Sequence, residues 1–260
     1  MRSAYATILI GARAVNDTAT SADLDLNTYE GIAEYYDVLM TAGYYDYDEY
    51  ANALGEVFAH RRRILELGVG TGLVAERLLA RYPDVELTGL DNTPAMLEQA
   101  RARIGDRMTY ALEDVTKLEM DRTFEAAYSV GGCWYFIDLG DDLELCSHID
   151  DFDTSMEGLR RVVAHLEPGA TLSLALQSPH TEYSKNLTDT LVYSQELSPT
   201  DDGFTKRYVF TDETGVVAEQ SYRYLIVPGA RAHAFFDAQG CDVVGLDATR
   251  TFFTYIKRGA

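Results

Sequence analysis

Basic residues are scarce in this sequence. Lys and Arg number 22 against 42 Asp and Glu, which leaves a formal net charge of −20 and an isoelectric point near 4.5. A duplex-binding surface displaces counterions with clustered Lys and Arg, and an anionic membrane face asks for the same residues. The deficit argues against both partners, and a partner drawn in by the overall field is a cation. Cysteine is also sparse. Cys133, Cys146 and Cys241 are odd in number and show no CxxC spacing, which indicates reduced thiols in a reducing compartment. The five histidines are scattered and none shares zinc-ligand spacing with a cysteine, so no metal is expected. No apolar run approaches the ~20 residues of a membrane span. The apolar patch at residues 6–11, behind Arg2, is shorter than a signal-peptide core. A cytoplasmic protein without a membrane partner is expected.

What is present is length and an uneven charge. At 260 residues the chain suits one large domain, or one domain carrying an insertion, with no need of a disulfide or metal staple. Residues 1–60 carry net −8, 61–110 net +1, 111–180 net −10 and 181–260 net −3. Two acidic regions flank a near-neutral block.

Residues 1–26 are polar and small, a loose lead-in. From Thr28 the spacing of Tyr29, Ile32, Tyr36 and Leu39 predicts a helix, and a second follows over about 46–60. Strand and helix signals then alternate: strand 64–67, helix 73–82, strand 85–90, helix 94–104, strands 107–113 and 124–130, helix 153–166 and strand 170–177. Thr93 and Pro94 supply the N-cap and first position of helix 94–104. This order predicts an α/β, doubly wound parallel sheet. Segments 190–197, 205–211 and 216–227 alternate and are rich in Tyr, Val and Thr, an antiparallel meander. A helix over 229–238 leads to two last strands, 241–246 and 251–256.

The chemistry is carried by Ile64-Leu65-Glu66-Leu67-Gly68-Val69-Gly70-Thr71-Gly72, a buried strand running into a glycine turn before a helix. Gly68 and Gly70 permit positive φ and close approach of a ligand, and Gly72 is expected to let the helix start pack against it. A dinucleotide fingerprint needs glycine at position 73, where this chain has Leu73. Asp91 ends the next strand, 19 residues after Gly72, where a carboxylate can accept both hydroxyls of a ribose.

The spacing acid-x-Gly-x-Gly-x-Gly resembles motif I of the class I S-adenosylmethionine-dependent methyltransferases. Four further elements resemble the same family: Asp91-Asn92-Thr93-Pro94-Ala95-Met96-Leu97, Glu113-Asp114-Val115, the strand from Phe124 to Val130, and Leu166-Glu167-Pro168-Gly169. The resemblance implies a seven-stranded Rossmann-like sheet, S-adenosyl-L-methionine as cofactor and a small-molecule substrate. It places Met96 on the adenine, Asp114 and Val115 at the adenine edge, and Tyr36 near the methionine end; Tyr29, Glu66, Gly68, Gly70, Gly72, Asp91, Asn92, Glu113 and Val130 complete the expected cofactor site. The closest architecture is that of the aminosugar N,N-dimethyltransferases, which share the Tyr-Asp helix and an antiparallel insertion after strand five. The implied organisation is an arm over 1–27, a helical cap over 28–60, and a methyltransferase domain over 61–260 with its insertion at about 186–228.

Methyl transfer asks for in-line positioning in a closed pocket more than for a triad. Three segments are expected around the methyl: the cap tyrosines with Tyr44; Gly131-Gly132-Cys133-Trp134-Tyr135-Phe136 after the fourth strand; and Gln177–Tyr183 after the fifth. Trp134, Tyr135, Tyr183 and Tyr44 are the substrate candidates. His180 is the candidate base, by the pKa of a free imidazole, with Tyr36 as second catalytic candidate. Cys133 lacks a basic neighbour and is no nucleophile. The acidic stretch 138–152 reads either as a solvated lid or as a device that steers a cationic substrate, and the meander as a homodimer face or a roof over the site. The function expected is N- or O-methylation of a small molecule. The alternative is an enzyme of the same fold that binds the cofactor and catalyses a non-methylating reaction such as cyclisation. A nicotinamide oxidoreductase is disfavoured by Leu73, and a nucleic-acid methyltransferase by the charge.

Overall fold

A computed structural model describes residues 29–140 and 142–259. The arm expected over 1–27, and Thr28, lie outside the described residues. A short 3-10 turn, Glu30–Ile32, leads into α1 (Ala33–Thr41), and α2 (Tyr47–Val57) follows. Asp46 caps α2 by accepting the Asp48 and Glu49 N–H groups. The alternating units are β1 (Arg63–Leu67), α3 (Leu73–Arg81), β2 (Glu86–Asp91), α4 (Pro94–Ile104), β3 (Thr109–Leu112) and β4 (Phe124–Ser129). Next come β5 (Trp134–Asp138), β6 (Leu143–Ser147), α5 (Phe152–Ala164) and β7 (Leu166–Gln177). The meander is β8 (Tyr183–Asn186), β9 (Val192–Pro199), β10 (Gly203–Asp212) and β11 (Gly215–Pro228). The chain closes with α6 (Gly229–Ala238), β12 (Cys241–Leu246) and β13 (Phe252–Lys257).

The doubly wound sheet runs β3-β2-β1-β4-β7-β13-β12. Its first five strands are parallel; β13 is antiparallel to both β7 and β12. Each crossover between consecutive parallel strands of this sheet carries a helix or a 3-10 turn, the one from β4 to β7 through α5. Alternate side chains feed two cores. Ile64, Tyr128 and Tyr135 face α2 and α3, whereas Leu65, Leu67, Trp134 and Phe136 face α5 and α6.

A second, largely antiparallel sheet, β5-β6-β11-β10-β9-β8, continues from the same β7. Along one edge β7 pairs with β13 through Ala175, and then with β5 at Leu176 and Gln177. The sequence leaves 138–152 as either a solvated lid or a cation-steering loop. Here Leu143–Ser147 is a strand, hairpinned to Trp134–Asp138 and paired on its other side with β11. Gly140, at φ 90°, makes the turn between them. The insertion therefore draws on two separate stretches of chain, one before and one after β7. Smaller departures have local causes. Asp151 caps α5 by accepting the Thr154 N–H, so the helix begins at Phe152, one residue before the expected start. Thr93 precedes α4, but its hydroxyl accepts the Tyr29 N–H and donates to Asn92 instead of capping.

Candidate active site

The sheet changes winding direction between β1 and β4, and loops after parallel strands splay apart at such a point. A cleft of about 280 Å³ opens there. Its floor is the turn after β1, where Gly68 and Gly70 have φ of 71° and 55°. A Cβ on Gly68 would lie 2.9 Å from the Gly132 Cα, so this turn and the one after β4 meet backbone to backbone. Asp91 enters from the end of β2. One carboxylate oxygen accepts the Gly70 N–H at 2.8 Å and the other the Thr93 N–H at 2.9 Å. Burial raises its carboxyl, and those N–H bonds oppose the rise. Glu66 is 2% exposed and accepts the Tyr128 hydroxyl proton at 2.7 Å. Burial, reinforced by Asp91, pushes the Glu66 carboxyl up to about 8.

The far wall comes from the loop after β3. Asp114 closes its own turn by accepting from the Thr116 N–H at 3.0 Å and lies 3.1 Å from the Lys117 ammonium. Glu113, Val115, Asn92, Met96 and Val130 line the same cleft, as do Tyr29 and Tyr36 of the cap. The cap is tied down near the glycine turn, where Asp37 accepts from both Thr71 and Arg103. Gly72 differs from expectation. It does not line the cleft: its φ is 80° and a Cβ there would sit 2.7 Å from Ile104, so its smallness serves the packing of α3 on α4. Of the basic groups near the glycine turn in sequence, Arg61 donates to the Glu125 backbone carbonyl and Arg63 pairs with the Glu125 and Glu167 carboxylates, at the opposite end of β1.

Beyond the cleft lies a neck, a void of only about 10 Å³. It shares Tyr29, Tyr36, Tyr45, Gly131 and His148 with the cleft. Past the neck is a vestibule of about 520 Å³, which shares Tyr44, Tyr45 and His180 with it. The three cavities thus lie in series. Tyr135 reaches the neck and its hydroxyl lies 2.7 Å from His180 Nε2; Tyr183 lies in the vestibule wall. Burial, and then Lys206 and His148, depress the His180 imidazole well below its usual value, so it is neutral at physiological pH. Trp134 is corrected to the core. Strand alternation turns it opposite to Tyr135, it is fully buried, and its indole N–H donates to Ser155 at 2.9 Å. Burial pushes the Cys133 thiol well up, in keeping with an inert cysteine.

Sequence reasoning offered the meander as a roof but named none of the residues it contributes. Phe204, Lys206, Tyr208 and Phe210 occupy one face of β10, with Tyr222 and Tyr224 beside them on β11. Lys206 is fully buried, and its ammonium nitrogen donates to the Tyr44 hydroxyl at 2.6 Å. The signal was a lysine in phase with an apolar alternation, where a polar residue belongs on the other face. Three acids of the stretch read as a lid or a cation-steering device have other contacts. Asp138 pairs with Arg250 at 2.8 Å, Asp151 caps a helix, and Asp150 lines the cofactor-sized cleft.

Fold and cleft define a class I, Rossmann-like methyltransferase architecture. Residues 64–169 match the family model described as a methyltransferase domain. Over 115 residues the chain is 30% identical to malonyl-(acyl-carrier protein) O-methyltransferase 1 of Ilyobacter polytropus, covering 40% of this chain and 42% of that protein. Over 68 residues it is 41% identical to trans-aconitate 2-methyltransferase of Methylobacterium radiotolerans, covering 26% of each. The matches span less than half the length of these relatives. The sugar N-methyltransferase KedS8 from Streptoalloteichus sp. superposes with a TM-score of 0.67 over 95% of this chain and 99% of that one, at 21% identity. At that identity the likeness shows the fold.

Proposed function

We propose that the protein is an S-adenosyl-L-methionine-dependent methyltransferase acting on the nitrogen or oxygen of a small molecule. The observation that carries this reading is the serial arrangement of a glycine-floored cleft, an aromatic neck and an open vestibule. The cleft suits the cofactor. Its floor is backbone that tolerates no side chain at Gly68, its buried Asp91 carboxylate is pre-set by two N–H bonds, and Met96 offers an apolar flank. In this reading Asp91 and Asn92 hold the ribose, Met96, Asp114 and Val115 the adenine, and Glu66, Gly68, Gly70, Glu113 and Val130 shape the cleft. Tyr29 and Tyr36 close the methionine end, with Tyr36 facing the neck as well. When bound, the cofactor supplies an activated methyl on a positively charged sulfur. The protein's part is to align the acceptor, exclude water and remove a proton.

Tyr44, Tyr135, His180 and Tyr183 are the acceptor-side residues, and the cap over 28–60 is the lid of the site. The roof role of the meander is favoured over a dimer face by the tyrosines it sends to the neck; sedimentation tests for a homodimer. The reading further takes the protein as cytoplasmic, on its free cysteines, and as having no nucleic-acid partner, on its net charge of −20. Among the described residues no helix is long and apolar enough to cross a membrane. Calorimetry with S-adenosylmethionine and S-adenosylhomocysteine tests cofactor binding. A product heavier by one methylene, formed together with S-adenosylhomocysteine, separates methyl transfer from cyclisation; its absence during turnover would overturn the reading.

A further inference from the structure

The neck is unusual in a chain of net charge −20 because among the described residues no carboxylate lines it. Its walls are tyrosines, His148, His180, Met40 and Gly131. Behind Tyr44 stands Lys206, with its nitrogen 4.4 Å from the Tyr208 ring centre and 5.2 Å from that of Tyr44. The groups that perturb Lys206 are its burial and the Cys146 thiol, with no carboxylate among them. Burial brings its ammonium down to about 7, and burial with Lys206 as neighbour brings His148 down to about 3. The basic groups around the neck are therefore poised toward their neutral forms. A second feature points to a bound oxygen. Gln177 is 8% exposed and its Oε1 accepts the Tyr45 hydroxyl proton at 3.1 Å, while its Nε2 has no partner among the described residues. A buried N–H left without an acceptor is costly, and Gln177 lines the vestibule at the mouth of the neck.

We propose that the acceptor is an acidic hydroxyl on a flat ring, a phenol or an enol, and that Tyr44 and Lys206 take its proton. This rests on the methyltransferase reading and names its substrate class. The acceptor oxygen bonds to the methyl carbon as the carbon–sulfur bond breaks, with that bond's electron pair staying on sulfur. The hydroxyl proton passes to the Tyr44 oxygen while the Tyr44 proton passes to Lys206 Nζ. One positive charge disappears at sulfur and one appears at Lys206, between the faces of Tyr44 and Tyr208, where a cation is favoured. An amine acceptor would carry the new charge on its own nitrogen until a proton left it, and among the described residues the carboxylates nearest that path, Asp46 and Glu49, line the vestibule and not the neck. A base with its pKa near the working pH suits the task, since it is both unprotonated and strong enough. Tyr44 faces the acceptor; Lys206 acts through it and is a positioning residue.

The test uses the full chain and three readouts. Calorimetry first establishes cofactor binding; its failure removes the methyltransferase reading itself. Phenols, cyclic enols and primary or secondary amines on matched ring skeletons are then screened with S-adenosylmethionine by mass. Methylation of phenols or enols is expected. Methylation of amines alone, or of no hydroxyl acceptor by protein that binds the cofactor, overturns the proposal. On the best hydroxyl acceptor, Lys206→Met and Tyr44→Phe should lower kcat about 100-fold or more at neutral pH with KM little changed. The acid limb of the wild-type pH profile should disappear in Lys206→Met. Retention of both rate and limb by the two variants overturns the assignment. Without turnover, a nitrophenol absorbs in the visible only when ionised. Bound to wild type it should be coloured below its solution pKa, and bound to Lys206→Met colourless; equal colour in both overturns it.

Discussion

The cleft and the neck are neighbours with opposite chemistry. The cleft gathers Glu66, Asp91, Glu113, Asp114 and Asp150 around a glycine floor, whereas the neck is tyrosine and imidazole backed by one buried lysine. The cleft is built from loops after parallel strands, so its groups are backbone amides and the carboxylates those amides hold. The neck is built where an inserted antiparallel sheet faces a helical cap, so its groups are side chains of alternating strands. The first arrangement fixes a ligand through the main chain. In the proposed reading the second leaves the acceptor to side chains, which can vary without disturbing the sheet.

The comparison breaks first at Trp134, placed in the core although its neighbour Tyr135 lines the neck. Trp134→Ala should cost about 3–5 kcal/mol of stability in denaturant melts, while cofactor affinity in the variant that remains folded stays unchanged. A comparable loss of acceptor binding with full stability would move Trp134 back into the site. Next in size is Asp91→Ala, which strips the cleft of the carboxylate that holds Gly70 and Thr93. The dissociation constant for S-adenosylmethionine should rise by about 10–100-fold, read by calorimetry, as expected for losing a charged hydrogen-bonding group worth about 1.5–3 kcal/mol.

The two regions should also respond to pH in opposite senses. Glu66 has its carboxyl raised from 4.5 to about 8. Between those values the folded state keeps a proton that the unfolded chain has lost, so its contribution to stability is full below the lower value and is lost as pH rises to the upper. Lys206 is lowered from 10.5 to about 7. Between these values the unfolded chain holds the extra proton, so stability from this residue rises with pH. Melting temperatures from pH 5 to 7 should fall less steeply in Glu66→Gln than in wild type, and above pH 8 Lys206→Met should lack the upward contribution of the lysine. Unchanged slopes in both variants would show that neither group titrates in isolation from its surroundings. The smallest effect belongs to the rim: Asp138→Asn, which breaks an exposed pair with Arg250, should change stability by at most about 1 kcal/mol.

The sequence carried the parallel sheet and the cleft because both depend on local signals. A glycine turn after a buried run and a carboxylate at the next strand's end are legible at fixed spacing. The residues around the neck depend on pairing between distant segments. Leu143–Ser147 reads as acidic loop until β11 is seen beside it, and Lys206 reads as a surface lysine until its parity with Phe204 and Tyr208 is counted. Trp134 and Tyr135 were grouped by composition although a strand sends them to opposite faces. Gly72 was grouped with the ligand-facing glycines although its neighbours are Ile104 and Ala100.

The hairpin between β7 and β11 sets the route of traffic. Because β5 and β6 bridge the two sheets by continuous hydrogen bonding, the roof cannot lift away from β7 without tearing several backbone bonds at once. The cap side has no such ladder; its loop at Ala42–Asp46 meets the meander through the Lys185 ammonium on the Ala42 carbonyl and Lys206 on the Tyr44 hydroxyl. In the proposed reading, reactants therefore come and go past the cap, and the loop that carries Tyr44 is the door through which product leaves.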